Sequence, residues 1–156
     1  KEINFIGKKA ATKLRLMFLK RSKSPLIKNP YSEIYLKVIN SFAFNLIAIK
    51  YNQNNNQLAK NKSALFDIKI IMAEFDRVMI EHGLEITQSI ESRMSQTLSS
   101  RKHTMSMLND LRIKKPIELK NQWKSLINIK NISIKKIINS HKNFKLVMSK
   151  INGNNI

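Results

Sequence analysis

SEIYLKVINSFAFNLIAIK, residues 32–50, is the stretch on which the reading of the fold turns. Ile34, Val38, Phe42 and Ile49 recur at steps of four and seven, which places them along one face of a helix. Ile39, Leu46 and Ile47 widen that stripe into a broad buried face. Ser32, just after Pro30, reads as the N-cap. The isoleucines favour strand by propensity, but they fall at helical spacing, and here period outranks propensity.

The same period extends outward. Tyr51 to Asn61 is polar and rich in Asn and reads as a loop. A second helix is expected over 63–111, with Ile68, Met72, Phe75, Met79, Ile86, Ile90, Met94, Leu98, Met105 and Leu108 on one seam. Gly83 is its weak point. A third is expected over 116–151, with Pro116 in its first turn and Trp123, Ile127, Ile134, Ile137, His141, Phe144, Met148 and Ile151 as its stripe. Gly and Pro number three each in 156 residues, too few to interrupt these runs often. The expected fold is all-α: residues 31–156 form an elongated antiparallel helical hairpin or bundle of long amphipathic helices. At about 1.5 Å per residue the hairpin would span roughly fifty ångströms. A basic N-terminal arm, residues 1–30, precedes it.

The formal net charge is +19, carried by 23 Lys and 6 Arg. One reading is a polyanion partner, with Lys8, Lys9, Lys13, Arg15, Lys20, Arg21 and Lys23 of the arm as candidate contacts. The other is codon bias toward Lys, Asn and Ile, since dedicated phosphate binders favour Arg. Residues 66–92 are acidic instead, with Asp67, Glu74, Asp76, Glu81, Glu85 and Glu91 against Lys69 and Arg77. The absence of Cys excludes disulfides, thiolate metal sites and a Cys nucleophile. The longest apolar run, Phe42 to Ile49, is interrupted by Asn45, so no transmembrane segment is expected. The chain starts at Lys1 rather than Met, which is compatible with truncation as well as with a removed leader.

Catalytic patterns are hard to find. His82, His103 and His141 lack the one-turn spacing of a metal pair, and His141 sits on an apolar seam, where a core or interface role is the plainer reading. No glycine-rich phosphate loop, nucleophile elbow or credible carboxylate pair is present. Ser89, Ser92, Ser95, Ser99 and Ser100 have no partner base and read as a polar helix face. No catalytic, cofactor-binding or metal residue is assigned, no cofactor is expected, and the chain reads as non-enzymatic. Met72, Met79, Met94, Met105, Met107 and Met148 suit a bundle core, or a face that touches lipid or polymer.

Residues 107–112, Met-Leu-Asn-Asp-Leu-Arg, lead into Lys115–Pro116–Ile117–Glu118–Leu119–Lys120–Asn121–Gln122–Trp123. In this arrangement the region from about Asn61 to Ile151 resembles the phasin family, helical proteins that coat polyhydroxyalkanoate storage granules. Pro116, Glu118, Leu119 and Gln122 occupy the matching positions of a helix turn, and Trp123 would anchor it. The resemblance implies no catalytic residue. It implies attachment by apolar helix faces, at about 25 cal/mol per Å² buried. The hairpin also looks, more distantly, like the coiled-coil region of the exonuclease VII large subunit.

The leading expectation is therefore a phasin-like, surface-coating structural protein. Its partners would be a granule or other apolar surface, with protein partners or a homo-oligomer, in the cytoplasm. The alternatives are a basic structural RNA-binding subunit, as in an organellar ribosome of the mitochondrial matrix, and a helical subunit of a membrane-associated assembly.

Overall fold

A computed structural model describes residues 30–100, 102–128 and 131–153, and among them the regular structure is helical throughout, as the periodicity requires. The elements are α1 (Pro30–Tyr51), α2 (Asn55–Leu58), α3 (Lys62–Glu81), α4 (Ile90–Ser99), α5 (Ser106–Arg112), α6 (Leu119–Asn128), a short 3-10 turn (Ile134–Lys136) and α7 (Ile138–Asn152). The expected arm and its seven basic residues lie outside the described residues.

Helix α1 begins at Pro30, whose fixed φ suits a first helical turn. Ser32 therefore lies inside the helix rather than at its cap, and its Oγ accepts from the Glu85 backbone N–H (3.0 Å). From Phe42 to Ile49 every residue is buried, so this segment is covered on all sides. The covering comes from α3, α5, α6 and α7, which all pack on α1. By length and composition α1 could cross a membrane, but 67% of its apolar window is buried by other helices, which makes it the core helix of this fold.

Asn45 interrupts that core for a reason. Its Nδ2 donates to the Ser41 carbonyl oxygen (2.9 Å), and its Oδ1 accepts from the Met107 N–H (3.0 Å). Helix α5 has no side-chain cap of its own, and Asn45 supplies one from the centre of α1.

The expected 63–111 helix is divided into α3, α4 and α5. Gly83 at φ +73° does more than kink it. The Gly83 N–H donates to the Ile80 carbonyl and the Leu84 N–H to the Met79 carbonyl, both at 3.0 Å. These are the two bonds of a Schellman stop, which needs a left-handed residue where glycine is. Helix α4 then restarts at Ser89, whose Oγ accepts from the Ser92 N–H (3.1 Å). It ends where Asn55 Nδ2 takes the carbonyls of Thr97 (2.8 Å) and Ser100 (3.3 Å). Of the predicted seam, Ile68, Met72, Phe75, Met79 and Leu108 are buried, while Ile86, Ile90, Met94, Leu98 and Met105 are only partly covered.

The expected 116–151 helix is likewise divided into α6, the 3-10 turn and α7. Asn131 takes φ +48° at the break, and the Ile132 N–H turns back to the Ile127 carbonyl (2.8 Å). Helix α7 also lacks a side-chain cap of its own. Glu74 of α3 provides it: Oε1 accepts from the Asn139 N–H (2.9 Å), and Oε2 from the Ser140 N–H (2.8 Å) and hydroxyl (2.6 Å). With Lys136 on Glu81 further along (2.5 Å), α3 and α7 run antiparallel, which is what remains of the expected hairpin. The long two-helix shape is replaced by short helices wrapped around α1.

A cap of this kind is worth about 0.5–2 kcal/mol. Glu74→Ala should lower the urea unfolding free energy by about that amount. Glu74→Gln, which keeps one of the two acceptor oxygens, should lose less.

Candidate functional site

Helical spacing sets two polar faces opposite each other. On α1, Glu33, Lys37 and Asn40 follow at steps of four and three. On α4, Gln96 and Thr97 lie three and four residues after Arg93. With Leu36 and Gln88 they line a cleft of about 180 Å³. That is below the roughly 300–1,000 Å³ usual for ligand pockets, so it suits a small ligand. A larger hollow of about 570 Å³ is lined by Asn56, Ala59, Lys60, Ser95, Leu98 and Ser99, and no buried charged side chain faces it.

Across the cleft, Asn40 Nδ2 donates to Thr97 Oγ1 (2.9 Å), and Thr97 Oγ1 donates to the Arg93 carbonyl oxygen (3.0 Å). Two cations line it. Lys37 is exposed at the rim. Arg93 is only 4% exposed, and its Nη2 donates to Asp76 Oδ2 of α3. Burial pushes the Asp76 carboxyl above the usual carboxylate range, and the Arg93 guanidinium partly offsets this. Asp76 Oδ1 and Arg93 Nε and Nη1 are shielded from solvent without a hydrogen-bond partner.

The residues singled out from the sequence lie elsewhere. Pro116 and Glu118 are exposed in the link between α5 and α6, and Leu119 is buried. Gln122 Nε2 donates to Ser41 Oγ (3.3 Å). Trp123 anchors the core rather than a hairpin turn. It stacks on Phe144 (centroids 4.7 Å apart) and His141 (5.6 Å), and also packs on Phe42 (5.6 Å) and Phe75 (6.4 Å). His141, half-buried, packs against the core through Trp123. The cleft residues were missed because each is an ordinary polar residue on a helix face. The available signal was the polar face Glu33–Lys37–Asn40 on an otherwise apolar helix.

Comparison with known proteins identifies the arrangement. The family model described as ketopantoate reductase PanE/ApbA C terminal matches residues 31–129, which include every residue lining the cleft. No curated protein matches the sequence. Among solved structures, a dimeric ketopantoate reductase from Staphylococcus aureus is similar with a TM-score of 0.64 at 12% identity, over 97% of this chain and 54% of that one. A PanE/ApbA family ketopantoate reductase from Ralstonia eutropha JMP134 gives 0.70 at 15% identity, over 97% and 52%. A D-mandelate dehydrogenase solved with NADH and anilino(oxo)acetate gives 0.71 at 18%, over 99% and 67%. The chain spans about half the length of the two ketopantoate reductases.

These findings overturn the phasin resemblance and the granule-coat function built on it, and with them the RNA-binding and membrane-assembly alternatives and the non-enzymatic reading. The physical reason is visible in the core. The stripe offered to a granule surface, Ile68, Met72, Phe75 and Met79, is at most 1% exposed, because it packs inside this fold.

Because burial outweighs pairing at Asp76, replacing the whole pair should be far milder than breaking it. Asp76→Ala leaves Arg93 buried and alone and should cost about 3–5 kcal/mol in urea unfolding. The double variant Asp76→Leu/Arg93→Met should stay close to the parent chain.

Proposed function

The chain belongs to the ketopantoate reductase PanE/ApbA C-terminal family, and from that premise we propose that it is the helical, substrate-facing domain of a reductase acting on a small 2-oxo acid, with the α1–α4 cleft as the wall that receives the acid. The carrying observation is the cleft itself: small, lined by the cations Lys37 and Arg93 and the carboxylate Glu33, and contained within the matched residues. The names of the similar structures point to one substrate chemistry. Ketopantoate and anilino(oxo)acetate both bear a carboxylate beside an oxo carbon.

Reduction of an oxo group needs a proton at its oxygen as well as a hydride at its carbon. Lys37 is the exposed cation of the cleft, and its ammonium can hydrogen-bond that oxygen and deliver the proton. Arg93 lines the cleft beside it, its charge shared with Asp76. A nicotinamide dinucleotide would supply the hydride, but the residues described here do not fit one. Its pyrophosphate is usually cradled by a glycine-rich turn between strand and helix. The described residues include no strand, and their two glycines, Gly83 and Gly153, follow the ends of α3 and α7. The part of the relatives' length that this chain does not span is the natural place for that site.

Expressed from its complete reading frame, the protein should oxidise a reduced nicotinamide dinucleotide when given ketopantoate, followed as loss of the cofactor's near-ultraviolet absorbance. Lys37→Ala should lower kcat by about 100-fold or more, the scale of a lost general acid, and leave the melting temperature nearly unchanged. No oxidation with any 2-oxo acid would overturn the proposal.

A further inference from the structure

Among the described residues, shielded polar atoms without a protein partner gather in one place. Five of the seven lie where α4 meets the core: Arg93 Nε and Nη1, Asp76 Oδ1, Asn40 Oδ1 and Asn55 Oδ1. Each belongs to a residue that ties α4 down. Asp76 accepts from Arg93, Asn40 donates to Thr97 Oγ1, and Asn55 donates to the Thr97 and Ser100 carbonyl oxygens. Seating α4 therefore takes five polar atoms out of water and gives them no new partner. Opening restores their hydration.

Little apolar burial opposes that. Arg93 is the one buried residue of α4, and Ile90, Met94 and Leu98 are only partly covered. In α3, by contrast, Ile68, Ile71, Met72 and Phe75 are fully buried. The Glu91–Lys69 pair (2.8 Å) is exposed and contributes little. The buried Asp76–Arg93 pair contributes little net attraction while intact, because desolvation offsets it. Breaking it is different: either partner left alone is a buried charge that must reach water.

The chain is divided where such a motion requires it. The Schellman stop at Gly83 ends the hydrogen bonding of α3 before α4 begins. Leu84 and Glu85 stay tied to the core through the Met79 carbonyl and Ser32 Oγ, both at 3.0 Å. After them Thr87, Gln88 and Ser89 are exposed. We infer that α4 is a lid, latched by Asp76–Arg93, that leaves the core as a unit from residues 86–89 and opens the cleft while α1 and α3 stay folded. The cleft of about 180 Å³ is the closed form. The lid governs access to the cleft whatever the cleft binds, and so goes beyond the reductase reading without resting on it.

A ten-residue helix released from its neighbours is too short to hold itself, so hydrogen exchange reads the opening. Exchange is followed by mass spectrometry on the protein expressed from its complete reading frame, without ligand. Amides 94–99 of α4 should exchange together and about 100-fold or more faster than amides 42–49 of α1. Their rates should respond less to urea than those of α1, because opening exposes less surface than unfolding. Leu36 is buried and lines the cleft beneath the lid, whereas Leu46 is buried in the core. Leu36→Cys should therefore react with a thiol reagent about 100-fold or more faster than Leu46→Cys, read on the peptide that carries each. Asp76→Ala should strip α4 of protection and leave α1 and α3 protected. Exchange of α4 at the rate and urea dependence of α1, equal labelling of the two cysteines, or loss of α1 protection together with α4 in Asp76→Ala overturns the lid. Failure of the reductase reading looks different: cofactor oxidation is absent for every 2-oxo acid, while α4 still opens ahead of the core.

Discussion

Everything in this fold depends on α1 being covered on all sides. A helix that buries one stripe needs one neighbour, whereas a helix buried over its whole circumference from Phe42 to Ile49 needs a ring of them. The ring is made by α3, α5, α6 and α7, which all pack on α1. The same crowding explains the caps. Helices α5 and α7 begin against the core without side-chain caps of their own, and partners for the Met107 and Ser140 N–H groups come from Asn45 of α1 and Glu74 of α3.

Helix α4 is the exception. It is held by polar ties more than by apolar packing, among them the buried Asp76–Arg93 pair. A buried ion pair is a weak contributor to stability, because desolvation offsets attraction. The pair lies at the edge of the cleft, where α4 is packed less firmly than the helices around α1. The rest of the molecule is consistent with such a division of labour: a rigid core around α1, and one less firmly packed wall facing a small polar hollow.

The misreadings have a common origin. Periodic apolar residues identify a buried face but not what buries it, so the stripe through Met72, Phe75 and Met79 suited a granule surface as well as a neighbouring helix. The search for catalytic motifs failed for a related reason. Motifs record sites built within a short stretch of chain, whereas this cleft joins residues of α1 to residues of α4 more than fifty positions later. A non-enzymatic reading followed from local spacing alone, and family membership corrects it. Glu33, Lys37 and Asn40 were visible as a polar face on an apolar helix, while Arg93 was one basic residue among many and carried no local mark.

The sequence by itself determined that the chain is helical, that α1 covers nearly the span read for it, and that Met72, Met79 and Trp123 belong with apolar partners. Those properties follow from the 3.6-residue period and from side-chain chemistry, which act within a few turns. Only the tertiary structure decided where the two longer helical runs break, which side chains cap the resulting pieces, and which polar residues share a cleft. Breaking a helix exposes backbone groups that a partner must satisfy. Here those partners lie 62 residues away for Met107 and Asn45, and 66 for Ser140 and Glu74, distances over which local periodicity carries no information.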